Sequence, residues 1–305
     1  MWNRLIQVLT LAMLFVVGIS SDSADLRAAE KLDILIIDGQ NNHDWHVMTP
    51  YMSQVLEKTG RFSVDVVTTP AKNAPAAAWG SFRPEFSKYD AVLSNYNGQP
   101  WPQQVQQDLT AYVKEGGGLV IIHAANNAFP KWPQWNEMIG LGWRGNDFGE
   151  RVSLDNNGKV KRAAAGNGPG AGHGRQHEYA IVMRDPDHPV TRGMPREWMH
   201  TKDELYHGQR GPALNMQILA TAYSDKATGG TGAHEPMVWV IPYGKGRVFT
   251  TVMGHVGGED ITALRCIGFQ TMMNRGCEWA ATGEATLPIP KNFPKPDVVS
   301  VDRGK

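Results

Sequence analysis

The side chains in this chain that could do chemistry collect where apolar runs stop. The clearest case is Gly116-Gly117-Gly118-Leu119-Val120-Ile121-Ile122-His123-Ala124-Ala125-Asn126-Asn127. Three glycines release a helix, four apolar residues form a strand buried on both faces, and a histidine follows. Open α/β sheets bind ligands outside the carboxyl ends of their strands, so His123 is predicted at the mouth of a site. Other apolar runs end the same way, in Asn41 and His43, in Asn95 and Asn97, and in Gly254-His255. A further polar segment, Met199-His200-Thr201-Lys202-Asp203-Glu204-Leu205-Tyr206, supplies carboxylates and a phenol. Imidazole exchanges protons near neutral pH and carboxylates complete acid–base pairs. The expected catalytic set is therefore His123, His255, Asp203 and Glu204, with Tyr206 as a donor. His43, Asn97, Asn126, His188 and Trp45 are expected to grip substrate. Each has a plainer reading. His123 could be a core histidine satisfied by the backbone, Asp203 and Glu204 a solvated turn, His43 a loop cap, and His188 a turn residue. A divalent metal suits these donors, but no tight ligand spacing selects one. His173 and His177 stand four apart, yet Gly172 and Gly174 argue against the helix a zinc pair would need.

The elements that must position these groups follow from hydrophobic periodicity. Leu32 to Ile37, Phe62 to Thr68, Ala91 to Leu93 and Leu119 to Ile122 read as strands. Thr49-Pro50 opens a helix that Gly60 ends, and Pro102 to Glu115 forms another through Val105, Leu109, Tyr112 and Val113. That β-α-β-β-α-β order argues for a doubly wound parallel sheet, whose strand ends share one edge. A short helix spans Trp135 to Ile139. Asp155 to Gly174 reads as a long glycine-rich loop, and Trp198 to Tyr206 as too polar for a core strand. Tyr179 to Met183, Ile218 to Ala222, Met237 to Ile241 and Val248 to Met253 are further strands, the last two joined by a turn at Tyr243-Gly244-Lys245-Gly246. Asp260 to Thr282 reads as one long helix, and Leu287 to Lys305 as a Pro-rich tail on the surface.

The 305 residues are 41% hydrophobic and 20% charged, ordinary globular composition and enough for one large domain or two small ones. Basic and acidic residues cancel, so no charged stripe marks a nucleic-acid partner. Trp45, Trp79, Trp101, Trp132, Trp135 and Trp143 fall in loop-like stretches, where they either stack on sugar rings or pack loops onto the core. Leu5 to Val17 follows Arg4 and is too short to span a bilayer. It has the proportions of a secretory signal, with cleavage expected between Ser20 and Ala29. Residues 1–29 are thus expected to be leader and linker, residues 30–285 the working domain, and residues 286–305 the tail. The mature protein is expected in the periplasm or secreted, with no integral span; oligomerisation is left open. Cys266 and Cys277 are about three helical turns apart on one predicted helix, or about 16 Å, beyond disulfide reach.

Taken in order, several short pieces resemble the ThuA-like (trehalose-utilisation) family. They are Asn42-His43-Asp44-Trp45, Gly117 to His123, Asp187-His188-Pro189-Val190-Thr191, Asp203-Glu204-Leu205-Tyr206, Tyr243 to Phe249, Gly254-His255 and Glu278-Trp279-Ala280-Ala281-Thr282-Gly283. The resemblance implies a flavodoxin-like, class I glutamine amidotransferase-like fold: a mostly parallel sheet flanked by helices in a single domain. It also implies a role in carbohydrate catabolism, with a sugar or keto-sugar as partner. Amidotransferases of that fold carry a cysteine in the turn where this chain has His123-Ala124-Ala125. A thiolate nucleophile is therefore not expected here, nor is a G-x-S-x-G elbow present. The expected activity is a sugar-directed hydrolase, lyase or isomerase using acid–base or metal-assisted chemistry. The alternatives are a non-catalytic carbohydrate-binding protein and an interaction module.

Overall fold

Parallel strands with polar ends dominate one half of a mixed sheet. A computed structural model of the chain describes residues 31–304. The expected leader, residues 1–29, lies outside the described residues. The strands are β1 (Leu32–Asp38), β2 (Phe62–Thr68), β3 (Ala91–Ser94), β4 (Gly118–Ile122), β5 (Glu150–Leu154), β6 (Val160–Ala163) and β7 (Gly172–His173). They continue with β8 (His177–Met183), β9 (Glu197–Asp203), β10 (Tyr206–His207), β11 (Arg210–Gly211), β12 (Gln217–Tyr223), β13 (His234–Tyr243) and β14 (Gly246–Thr251). The helices are α1 (Trp45–Glu57), α2 (Ala76–Ser81), α3 (Gln103–Glu115), α4 (Pro133–Ile139), α5 (Thr262–Arg265) and α6 (Ile267–Thr282).

The main sheet runs β2-β1-β3-β4-β14-β13-β12-β8-β9. Pairing is parallel from β2 through β14 and antiparallel from β14 to β9. β3 and β4 are buried along their whole length, as expected for strands covered on both faces. α1 and α6 pack on the sheet and touch each other; α3 and α4 also pack against it. In the β4–β14 register Gly118 sits beside Arg247 and Ile122 beside Thr251. The segments that follow β4 and β14 therefore leave the sheet at the same end. That end gathers the loops after β1, β3, β4 and β14. Among the described residues, no helix is long and apolar enough to cross a membrane.

Several sequence expectations are corrected. α1 begins at Trp45, because the Asp44 carboxylate accepts from His46 N at 3.1 Å and caps it there. Pro50 consequently lies inside the helix. Asp155 to Gly174 is not one loop. β5 and β6 form a hairpin across it, turned by Asp155, whose Oδ1 accepts from Asn157 N and Lys159 N, both at 3.0 Å. Asn156-Asn157-Gly158 is a hairpin signal, with Gly158 at φ +79°. Residues Glu197–Asp203 do form a strand with Trp198, His200, Thr201 and Asp203 buried, its two ionisable core groups, His200 and Asp203, pairing at 2.7 Å. The predicted long helix breaks at Cys266, whose ψ of 121° is extended and whose backbone bridges to Val301. Both cysteines are buried free thiols. Trp101, Trp132 and Trp135 pack with Phe129 in an aromatic core, so packing, not sugar stacking, accounts for these three.

The tail is stitched to the domain. Met199 N donates to Lys295 O at 2.8 Å, Ile267 N to Ser300 O at 2.9 Å, and Asp302 N to Arg265 O at 2.8 Å. Its first turn is anchored by Glu278 of α6. That buried carboxylate accepts from Thr286 N at 2.7 Å, Thr286 Oγ1 at 2.6 Å, Leu287 N at 2.9 Å and Arg61 Nε at 3.2 Å. Burial alone would raise its pKa, but these donors hold it below the ordinary 4.5. The contribution to stability is therefore present above pH 4.5 and lost as pH falls through the lower folded value. Glu278→Ala should cost about 3 kcal/mol in urea denaturation near neutral pH. The difference from wild type should shrink as the pH is lowered below that range.

Candidate functional site

His123 stands directly after β4 in a left-handed turn, with φ at +46°. Such a conformation in a non-glycine residue costs on the order of 1–3 kcal/mol and persists only when the surroundings enforce it. The enforcement is visible. Burial is complete, and Nδ1 donates to Val252 O at 2.7 Å in the segment leaving β14. A carbonyl can only accept, so in the neutral ring Nδ1 carries the hydrogen and Nε2 the lone pair. Nε2 receives the Tyr206 hydroxyl at 3.2 Å and faces Glu204 Oε2 at 3.7 Å. Burial, reinforced by the neighbouring His43, pulls the imidazole pKa down to about 3, so His123 works uncharged.

His43 arrives from the loop between β1 and α1. Its Nδ1 donates to Val256 O at 3.1 Å, and Asn42 Nδ2 lies 3.2 Å from its Nε2. Its ring centroid is 4.7 Å from that of His123 and 4.7 Å from that of His255. His255 follows β14 and places Nε2 3.3 Å from Glu204 Oε1. The Gln176 amide nitrogen sits 3.3 Å from each of its ring nitrogens. Desolvation lowers the pKa of both His43 and His255. His173 of β7 completes the ring: its Nδ1 donates to Gly174 O at 2.6 Å and its Nε2 lies 3.3 Å from Glu204 Oε1. Glu204 is thus a nearly buried carboxylate inside a ring of imidazoles, and desolvation raises its pKa.

Asp203 is next in sequence but does not face the cleft. It is fully buried and collects four hydrogen bonds: from His200 Nε2 at 2.7 Å, Gly254 N at 2.8 Å, His255 N at 3.1 Å and Glu204 N at 2.7 Å. Burial alone would lower His200. The Cys266 sulfur and the Asp203 carboxylate override this and push it up to about 10, making an imidazolium–carboxylate pair. Asp203 in turn is held below its ordinary value against its own burial, chiefly by His200. Gly254 sits at φ +113°, which suits a residue without Cβ and turns its amide onto Asp203. Asp203 is therefore a positioning residue that fixes His255 and Glu204 relative to each other.

The chain thus brings together His43, His123, His255, Asp203, Glu204 and Tyr206, all predicted from sequence. Four other predicted residues are placed differently. Asn97 commits its amide to Ala124 O at 3.1 Å and Asn41 Oδ1 at 3.2 Å, tying the loops after β1, β3 and β4 together. Asn126 is fully buried and donates to Gln209 at 2.5 Å. Trp45 stacks on His46, with centroids 3.6 Å apart. His188 is corrected outright. Its Nδ1 accepts from Val190 N at 3.2 Å within its turn, and its ring packs 5.1 Å from Trp279. The Trp279 carbonyl receives Arg247 at the start of β14, the end of the sheet remote from the imidazoles. The expected site set did not include Gln176, nor His173, weighed only as half of a zinc pair, nor Trp143, read only as one of six loop tryptophans. The half-buried Trp143 ring meets Tyr206 edge-on at 4.6 Å and His173 at 5.9 Å, forming an aromatic wall. The signal for His173 was the long glycine-rich segment that contains it, a feature common at binding sites.

A sheet of this order, with its polar cluster over the ends of its parallel strands, defines a class I glutamine amidotransferase-like α/β protein with imidazole in the elbow turn. The family model described as "Trehalose utilisation" matches residues 33–280, and the chain belongs to this ThuA family. A ThuA-like protein from Parabacteroides merdae is 44% identical and superposes with a TM-score of 0.85, covering 90% of this chain and 98% of that one. A ThuA-like protein from Bacteroides uniformis is 17% identical with a TM-score of 0.55, covering 89% of this chain and 98% of that one, which shows the shared fold. Comparison with curated proteins gave no match.

Removing the Asp203 charge leaves a buried imidazolium without its partner, so Asp203→Asn should destabilise the fold by about 3–5 kcal/mol. Equilibrium denaturation in guanidinium chloride checks this. A change below about 1 kcal/mol would show that Asp203 does not hold the site together.

Proposed function

We propose that this protein acts on an oxidised, keto-form sugar or glycoside by taking a proton from the carbon beside the keto group. Membership of a family described by trehalose utilisation supports the sugar. The observation that carries the chemistry is the pairing of His255 with Glu204 Oε1 at 3.3 Å, next to a neutral His123 and the Tyr206 hydroxyl. A base backed by a carboxylate, with a donor across the cleft, is what enolisation requires. His255 takes the proton on the nitrogen not facing Glu204. The C–H electron pair moves into the carbon framework and charge develops on the keto oxygen. Tyr206, whose burial raises its pKa well above 10, stays protonated and can donate to that oxygen. The protonated His255 then returns the proton, either to the former keto carbon, while the hydroxyl proton of the deprotonated carbon passes to the former keto oxygen, or to a departing β-oxygen as its C–O bond breaks. The first outcome is isomerisation and the second cleavage. Trp143 offers an apolar face beside these groups against which a pyranose ring can lie.

On a panel of keto-disaccharides, His255→Ala should lower kcat by about 10²–10⁴-fold. His123→Ala should abolish turnover with the far-ultraviolet spectrum unchanged. Burial lowers the His255 pKa, so its basic form persists to more acidic pH, and the acid limb of kcat/KM should fall below pH 6.5. Calorimetric heat on adding the same sugars, with no product formed, would instead establish a binding module. The apolar run Leu5 to Val17 supports export. N-terminal sequencing of the exported protein should then begin between Ser20 and Ala29; an intact N-terminus recovered from the cytoplasm would refute it.

A further inference from the structure

The same site carries a feature that acid–base chemistry does not use. One ligand atom each from His43, His123 and Glu204 lies within 4.8 Å of the other two. The two imidazoles are held in the same sense. Each gives its Nδ1 hydrogen to a main-chain carbonyl, His43 to Val256 and His123 to Val252. Each therefore presents an unprotonated Nε2 inward. Metal-binding histidines are held this way almost without exception, the outer nitrogen anchored and the inner lone pair free to coordinate. The third donor is a carboxylate oxygen, Glu204 Oε2, 3.7 Å from His123 Nε2. The other oxygen of Glu204 faces His255 and His173, so one carboxylate can serve the ion and the base together.

Three electron-pair donors converging on one point repel each other unless something positive stands between them. Among the described residues, only weak hydrogen-bond donors face the two nitrogens: Asn42 Nδ2 at 3.2 Å from His43 Nε2, and the Tyr206 hydroxyl at 3.2 Å from His123 Nε2. Neither supplies a full charge. Ligand atoms bound at about 2.0–2.2 Å around zinc are roughly 3.3 Å apart in a tetrahedron, so small rotamer changes would close the present spacing. Two imidazoles and one carboxylate suit zinc, cobalt or iron(II) and disfavour magnesium and calcium, which prefer all-oxygen sets. The left-handed turn at His123 is accounted for too, since it is what aims that ring at His43 and Glu204 and away from the sheet interior.

We propose that His43 Nε2, His123 Nε2 and Glu204 Oε2 bind one divalent transition-metal ion of the zinc type, leaving the remaining coordination positions for water or the sugar. This deepens the function proposed above and rests on its placement of the site, but it is read out by binding and not by turnover. The test uses full-length, tag-free protein treated with a chelator and titrated with Zn(II), Co(II) and Mg(II) by calorimetry, with visible absorption recorded for Co(II). Wild type should take up one Zn(II) or Co(II) per chain, show a Co(II) absorption band and melt at a higher temperature in Zn(II), whereas Mg(II) should give no heat. His43 is only half-buried, so His43→Ala should fold normally and lose affinity by about 100-fold or more. Glu204→Gln should behave likewise. Tyr206→Phe removes a competing donor without removing a ligand, so it should bind the ion at least as tightly as wild type. Absence of binding, or equal uptake by His43→Ala and Glu204→Gln, would overturn the metal site. Turnover of keto-sugars by chelator-treated, metal-free protein would likewise refute a need for the ion while leaving the proposed reaction standing. Tight binding without turnover of any keto-sugar would do the reverse.

Discussion

The site depends on one buried carboxylate. Asp203 accepts four hydrogen bonds, from a charged imidazole and three main-chain amides, and two of those amides belong to the segment that leaves β14. Such a group is stable away from water only because every acceptor site is used. The arrangement fixes the spacing between two pieces of chain that are far apart in sequence. Glu204 and His255 then have little freedom, because their own backbone amides are held by the same side chain. The polar strand β9 is the cost of this device: its His200 and Asp203 must be buried as a pair, at the end of a sheet whose central strands β3 and β4 are almost wholly apolar.

A second constraint acts at His123. The turn after β4 holds a non-glycine residue at positive φ, the geometry that elsewhere exposes a nucleophile above an α/β sheet. Here the ring is turned in, bonded to Val252 and surrounded by aromatic and imidazole neighbours. Neither cysteine can substitute. Cys277 is buried within α6, and Cys266 lies beside His200 at the junction of α5 and α6. What the elbow offers is a lone pair, and the rest of the site is built around the imidazoles of His43, His173 and His255 and the Glu204 carboxylate.

Much of this was legible from residue types. Continuous apolar runs ending in His or Asn marked the strands and the end of the sheet where the site forms, because burial on both faces leaves no other place for polar groups. The turns were less legible. The hairpin across Asp155 was hidden by glycines and asparagines that read equally well as loop. β9 was hidden because His200 and Asp203 pair with each other and Asp203 also binds amides after β14, which local sequence does not show. Asn97 and Asn126 were placed in the right neighbourhood, and their amide nitrogens bond other parts of the chain, since amides serve loops and ligands alike. His188 matched a motif but not a location: its turn lies at the far end of the sheet, beneath the helix it packs against. His173 reaches Glu204 only through the pairing of β7 with β10, a contact over a separation no periodicity reveals.

The C-terminal segment has a consequence beyond its anchoring. β9 ends the main sheet, and an uncovered terminal strand presents unpaired amides and carbonyls to any other chain in solution. The hydrogen bond from Met199 to Lys295 puts backbone of the protein's own tail against that strand. The segment therefore acts as a built-in guard against edge-to-edge self-association. Proteolytic clipping ahead of Lys295 would remove that bond and leave the Met199 amide open to another chain.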